Sequence, residues 1–355
     1  MSLSVGIIGF PNVGKSTLFQ ILTKNEVGRS NYPFCTIDPN IGIVSVPDER
    51  LNELTLLAHP KKTTPSVIKF IDIAGLVEGA SKGEGLGNRF LANIRETDLI
   101  VYVLRAFEDS NIISLRKKID PLEEAELLEM ELALKDLETI EKRISSLEKE
   151  VKSRNKEAII EMVALEAAKS LLEEGKNLAS EDFSEKEKEI LKSYRFLTLK
   201  PRIYILNSKK DSVPKDIENF LGKGKWPVLS IDILSEFEYL GFGPEERIAL
   251  GLPEKTKIND LIRKAYTLLE LITFFTVGPD EVRAWKIEKG LLAPDAAETI
   301  HTDFKKNFIK AEVINCEELI KVGSIAEAKR LGLLRTEGKE YLVRDGDVVG
   351  IKHNA

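Results

Sequence analysis

Only two cysteines, Cys35 and Cys316, occur in the 355 residues, far apart in the chain. That scarcity argues against a disulfide framework or a cysteine-built metal site, and for a reducing compartment such as the cytoplasm. No apolar run reaches the roughly 18 residues that a membrane helix requires, and the N-terminus lacks the basic and long apolar regions of a signal peptide, so no membrane partner is expected. Positive charge is not in excess either. A net charge of −6 argues against a protein that coats nucleic acid by bulk electrostatics. What is present, 43% hydrophobic and 31% charged residues, is an ordinary globular composition with enough core for two or three domains.

The charge is divided unevenly. Residues 121–198 carry 20 acidic and 13 basic side chains, a net −7, which leaves +1 for the remainder. Local RNA contact therefore stays open to the body, through Lys305, Lys306 and Lys310 or through Lys61 and Lys62, although such clusters are more often solvated faces.

Residues 9–16 read Gly9-Phe10-Pro11-Asn12-Val13-Gly14-Lys15-Ser16, directly after the apolar run Val5 to Ile8 and before the helix-like stretch Thr17 to Leu22. Strand, glycine loop and helix in that order make a phosphate cradle. The backbone of Asn12, Val13, Gly14, Lys15, Ser16 and Thr17 can close around the phosphates, Lys15 can reach the β/γ oxygens, and the Ser16 hydroxyl can sit on Mg²⁺. A second apolar run, Val67 to Ile71, delivers Asp72 to a strand end, followed by Ile73-Ala74-Gly75. Its carboxylate can hold a magnesium-bound water while the Gly75 N–H faces the γ-phosphate. Between the two lies Thr36, either a turn threonine or a hydroxyl that reaches Mg²⁺ only when the γ-phosphate is bound.

Four stretches, GFPNVGKSTLF from Gly9, NYPFCTIDP from Asn31, DIAGLVEGASKGEGLGNRFLANIR from Asp72 and HTDF from His301, together resemble the YchF/Obg-like ATPase family of translation-factor-related P-loop proteins. The similarity runs nearly end to end. It implies ATP hydrolysis, a C-terminal TGS domain, and the ribosome or its associated factors as partner. It also raises two readings of His301 to Phe304, a recognition loop or a helix-exit turn with a satisfied histidine; the residues alone favour the turn. Asn12 stands where potassium-stimulated relatives have an asparagine. Its amide could seat K⁺ beside the phosphates, or simply cap its own turn.

The chain departs from related patterns at three places. Leu76 follows Gly75, where many GTPases carry a water-orienting glutamine, so slow intrinsic turnover is expected. Ser114 follows Asn111-Ile112-Ile113, where family members often carry histidine, and serine has no group titrating near neutrality. Finally, Asn207-Ser208-Lys209-Lys210-Asp211 matches neither the N-K-x-D of guanine sites nor the family's usual N-x-x-E. ATP recognised through Asn207 and Ser208 is expected at least as readily as GTP, with a GTP-specific enzyme as the alternative should Asp211 swing in.

The expected fold is α/β: a P-loop nucleotide-binding domain with an inserted antiparallel helical hairpin and a C-terminal β-grasp domain. Strand-like runs at Leu3 to Ile8, Val67 to Asp72, Asp98 to Leu104, Arg202 to Asn207 and Pro227 to Ile231 predict a mostly parallel sheet over residues 1–120 and 199–270. Between them, over residues 121–198, the series Ala133, Leu137, Ile140, Ile144, Leu147, Val151 and the series Ile160, Ala164, Ala167, Leu171 step by four and three, predicting two packed helices that end at Gly175. Residues 271–355 read as short strands, among them Tyr341 to Arg344 and Val348 to Lys352 flanking an Asp345-Gly346 hairpin turn, with Pro294 in a helix first turn and a capping box at Ser324 to Glu327. The function expected is a switch-type triphosphatase, the alternative a nucleotide-gated binding module in which hydrolysis is incidental.

Overall fold

A computed structural model describes residues 3–24, 40–73, 86–107, 119–209, 212–222 and 225–354. They fall into two compact units, one made of the described parts of Met1–Leu22, Asp38–Gly42 and Phe70–Ile258, the other of those of Thr23–Ile37, Ile43–Lys69 and Asn259–Ala355.

In chain order the first half gives β1 (Ser4–Ile8), α1 (Lys15–Lys24), β2 (Ile41–Ser45), α2 (Glu49–Ala58), β3 (Lys62–Thr64), β4 (Val67–Asp72), α3 (Leu86–Arg95), β5 (Leu99–Arg105), α4 (Pro121–Lys152) and α5 (Lys156–Glu173). Then come α6 (Glu185–Ser193), β6 (Arg202–Asn207), α7 (Lys215–Gly222), β7 (Val228–Ile231), α8 (Ile233–Glu238), α9 (Pro244–Ala249) and α10 (Lys257–Leu268). Six strands form one sheet in the order β2-β4-β1-β5-β6-β7. β1, β5, β6 and β7 are successive parallel neighbours, with Ile7 opposite Val101 and Arg105 opposite Asn207. Every residue of β1, β5 and β6 is buried, as parallel strands covered on both faces require, which is why they read as unbroken apolar runs. The five strands expected from those runs are present; β2 lay outside them.

The long interval between β5 and β6 is occupied by a helical hairpin. Asp120 caps α4 by accepting from the Leu122 and Glu123 N–H groups, Pro121 follows in the first turn, and Asn155 caps α5 across a short turn. Gly175, at φ +73°, ends the hairpin, its left-handed backbone closing the last turn through bonds from Gly175 N to Leu172 O and Lys176 N to Leu171 O. The α4 seam contains the expected Ile140 and Leu147. On α5 the buried face is Ala158, Ala164, Leu165, Ala168 and Leu172, rotated from the expected stripe because Phe183, Leu191 and Phe196 add a third side to the core.

In the second unit, β8 (Leu271–Val277), β9 (Glu281–Glu288), α11 (Ala293–Ile300), α12 (Thr302–Lys306), β10 (Phe308–Asn315), α13 (Cys316–Val322), α14 (Ile325–Arg330), β11 (Arg335–Glu337) and β12 (Asp347–His353) follow. Their sheet runs β11-β10-β12-β8-β9-β3. Successive residues point to opposite faces: Phe274, Val313 and Val349 pack on Ala293, Ala296 and Ala297 of α11, while Phe275, Ile314 and Val348 pack on Leu319 and Ala328 and on Leu51 and Leu54 of α2. Within residues 43–69, expected in the nucleotide domain, α2 and β3 thus supply a helix and an edge strand to the C-terminal sheet.

Two local expectations need correction here. Tyr341 to Arg344 is not a strand, for Leu342 makes only an isolated bridge to Leu292, and β12 pairs with β10 and β8 instead. The Asp345-Gly346 turn is real but is held by tertiary bonds, Asp345 accepting from Thr273 N at 2.8 Å and Gly346 O from Cys316 N at 2.8 Å. At Ser324 only half of the capping box forms. Ser324 accepts from Glu327 N at 3.1 Å, but the Glu327 carboxylate turns to Arg330 at 2.5 and 2.8 Å.

Candidate nucleotide site

β1 stops at Ile8 and the chain must turn sharply before α1 starts at Lys15. Three backbone positions make this possible. Gly9 has φ +157° and approaches β5 so closely that a Cβ would lie 2.4 Å from Val103 O. Asn12, at φ +64°, takes the left-handed region that asparagine tolerates better than most residues. Gly14 has φ +107°, and a Cβ there would lie 2.7 Å from Asn207 Nδ2. Val13 is buried in the loop, and the amides of Gly14, Lys15, Ser16 and Thr17 lie at the N-terminus of α1, where the first-turn N–H groups lack helical partners.

Lys15 is buried and its Nζ donates to Phe10 O at 2.6 Å, within the loop it is to serve. Burial pulls its ammonium below the ordinary lysine value, and the carboxylates of Asp72 and Glu124 pull the other way. Asp72 ends β4, its N–H bonded to Asn40 O at 2.9 Å, and Ser16 Oγ donates to its Oδ2 at 3.4 Å. Burial raises the Asp72 carboxyl, opposed by Lys15 and Ser16. A hydroxyl and a carboxylate this close are hard oxygen donors suited to Mg²⁺, which binds through few protein oxygens and completes its shell with water and phosphate. No cluster of three or more acidic, His or Cys side chains that could hold a metal by itself exists among the described residues.

Across from this loop, Asn207 is buried at the end of β6. Its Nδ2 donates to Val13 O at 2.9 Å and its Oδ1 accepts from Ile233 N at 3.2 Å, so one amide ties the phosphate loop to the start of α8. An amide has two N–H groups and two lone pairs, and these two bonds use one of each. Ser208, also buried, donates its N–H to Ile231 O at 3.1 Å. Sequence reasoning missed Glu124. It is buried in the first turn of α4, where its Oε2 accepts from Arg105 N at 3.0 Å, joining the arm to the end of β5. Nothing in the phosphate motif signals it, because its place depends on where an inserted helix begins. Thr36, Gly75, Leu76, Ser114, Lys210 and Asp211 lie outside the described residues.

Elsewhere, His301 sits between α11 and α12: its N–H closes the exit of α11 on Ala297 O, and its Nδ1 accepts from Asp303 N at 3.3 Å as the N-cap of α12. Of the lysines considered for RNA, Lys305 pairs with Asp295 and Glu298, Lys61 with Asp280 and Lys62 with Glu281.

Residues 4–163 match a family model described as a 50S ribosome-binding GTPase, and residues 271–354 match the C-terminal model of the YchF GTPases, described as a protein of unknown function. The chain is 45% identical to the ribosome-binding ATPase YchF of Bacillus subtilis strain 168 and 44% identical to that of Escherichia coli O157:H7, in both cases over the whole of each chain. The solved structure of the Schizosaccharomyces pombe YchF GTPase superposes with a TM-score of 0.89 at 36% identity, covering 99% of this chain and 98% of that one. No helix among the described residues is long and apolar enough to cross a membrane.

Proposed function

The chain belongs to the YchF family of nucleotide-hydrolysing P-loop enzymes, and from that premise we propose that it is a Mg²⁺-dependent triphosphatase that accepts ATP at least as readily as GTP and works as a cytoplasmic switch on the ribosome. Lys15 would neutralise the β/γ oxygens, Ser16, Thr36 and Asp72 would hold a magnesium ion, and the amides from Asn12 to Thr17 would fix the phosphoryl group in line, so catalysis is mainly positioning and electrostatics. Bound magnesium would supply charge neutralisation at the phosphates. Thr36 and Gly75 are assigned to sensing the γ-phosphate. The acidic arm at 121–198 and a TGS-type domain at 271–355 are the modules that meet the ribosome and its factors.

One observation carries the base preference. The lone pair and N–H left on the Asn207 amide suit the adenine edge, whose 6-amino group donates and whose N7 accepts. Guanine presents O6 in place of the amino group, and Lys210 stands where an aspartate would take its N1 and 2-amino protons. Stranding those donors would cost about 1 to 3 kcal/mol. Calorimetric titration of ATP and GTP with Mg²⁺ tests this: equal or tighter ATP binding is expected, and GTP tighter by about tenfold would make Asp211 the specificity residue. Leu76 favours a second reading, a nucleotide-gated binding module with incidental hydrolysis, and hydrolysis rates with and without ribosomes separate the two.

A further inference from the structure

Helix α4 leaves an apolar stripe uncovered beyond its contact with α5. Met130 and Leu134 are 55% and 42% exposed. With Ala133 and Leu137 they recur at helical spacing along a cavity of about 340 Å³, which Phe220 of α7, 43% exposed, also lines. Anchors at i, i+3, i+4 and i+7 are how one helix receives another, and the volume lies within the range of roughly 300–1,000 Å³ of ligand pockets.

The charge around the groove selects the occupant. Glu126 and Glu129 line it, Glu129 also pairing with the buried Arg202 at 3.0 Å, Asp216 and Glu218 lie in the first turn of α7, the helix that carries Phe220, and the lining cation Lys176 is paired with Glu174 at 2.8 Å. Residues 121–198 carry a net −7. Nucleic-acid phosphates and anionic lipid would be repelled, and so would the same arm of a second copy.

We propose that this groove seats a lysine- or arginine-rich amphipathic helix of a protein partner. The proposal rests on the ribosome reading above for where that partner is found, and not for the chemistry of the groove. Leucine-type side chains of the partner enter between Met130, Leu134 and Phe220 while its cations face Glu126 and the neighbouring carboxylates.

The test uses the full chain and two labelled synthetic helices of about 15 residues, both with leucine at the anchor spacing, one with lysine and the other with glutamate elsewhere. The lysine helix should bind at least tenfold more tightly. A Met130→Glu, Leu134→Glu double variant should weaken it tenfold or more, although two added carboxylates would strengthen a purely electrostatic contact. Unchanged circular dichroism and basal hydrolysis establish that the variant is folded. Equal binding of the two helices, or undiminished binding by the folded variant, overturns the proposal. In a second measurement, a benzophenone amino acid replaces Met130 and the chain is irradiated on purified ribosomes. An adduct to a basic ribosomal protein is expected, whereas an adduct to RNA, or none from a chain that co-sediments, overturns it. A chain that does not co-sediment at all sinks the ribosome reading and leaves the peptide result to decide the groove.

Discussion

Gly14 has two reasons to be glycine, and they act on different functions. Its φ of +107° strains any L side chain, and a Cβ would strike the Asn207 amide at 2.7 Å. Gly14→Ala should therefore do more than strain the loop by about 1–3 kcal/mol. It should push Asn207 off Val13 O and Ile233 N, loosening the phosphate loop and the base edge together. The expected result is a loss of ATP affinity of tenfold or more, about 1.4 kcal/mol, together with a lower thermal midpoint. Affinity within twofold of the parent would mean that the brace is dispensable. Asn12 needs a different design, because its φ of +64° makes alanine costly for backbone reasons alone. Glycine keeps the backbone and removes the amide. If the amide seats K⁺, the parent should hydrolyse ATP faster in K⁺ than in Na⁺ at equal ionic strength, and Asn12→Gly should lose the difference; a K⁺ effect surviving in the variant would assign Asn12 to its turn. The strand, glycine loop and helix from Ser4 to Lys24 were legible in the sequence because they fall within one short stretch of chain. The Asn207 brace and Glu124 were not, since each is set by a contact between residues far apart in the chain.

At the scale of elements, a polar knot fixes the base of the arm. Asp136 of α4 is fully buried and accepts from Leu197 N at 3.0 Å, Thr198 N at 2.8 Å and Thr198 Oγ1 at 2.8 Å. Burial raises its carboxyl and those donors oppose the shift. Close by, the Lys200 ammonium, pulled down to about 8 by burial, donates to Arg95 O and Thr97 O at the end of α3, and Arg95 reaches Thr139 of α4 at 3.1 Å. Truncating Asp136 to alanine would leave three donors unmatched. The expected cost is about 3 kcal/mol or more, seen as a lower denaturant midpoint, with Asp136→Asn losing clearly less because one acceptor oxygen remains. A midpoint unchanged in the alanine variant would show that water satisfies the donors. Helix periodicity announced α4 and α5, but a stripe of apolar residues does not say what else packs on it, so the rotation of the α5 face toward Phe183 and Phe196 went unread. The same blindness explains α2. Leu51 and Leu54 mark a helix with one buried face, and only the tertiary fold assigns that face to Phe275 and Ile314 of a sheet more than two hundred residues onward.

At the scale of the whole molecule, a switch must bind its partner differently in its two nucleotide states, because a ligand with equal affinity for both shifts nothing. Within the first unit, hydrogen bonds join the arm to α3 and to β5. Arg95 at the end of α3 donates to Thr139 of α4 at 3.1 Å, and Lys200 donates to Arg95 O. Glu124 joins the same helix to the end of β5 beside Asn207. These are discrete hydrogen bonds, which can be kept or broken but not stretched continuously. A change of tenfold in affinity requires only about 1.4 kcal/mol of difference between the two states, comparable with one or two such bonds. Purified ribosomes should therefore retain the chain at least tenfold better with a non-hydrolysable ATP analogue and Mg²⁺ than with ADP, measured by co-sedimentation across a concentration series. Thr139→Val, which removes the hydroxyl that receives Arg95 while keeping the shape of the side chain, should narrow that ratio and leave ATP binding itself unaltered. Equal retention in the two nucleotide states would remove the ribosome as the readout of the switch, while a ratio that survives in Thr139→Val would move the coupling away from the α3–α4 junction.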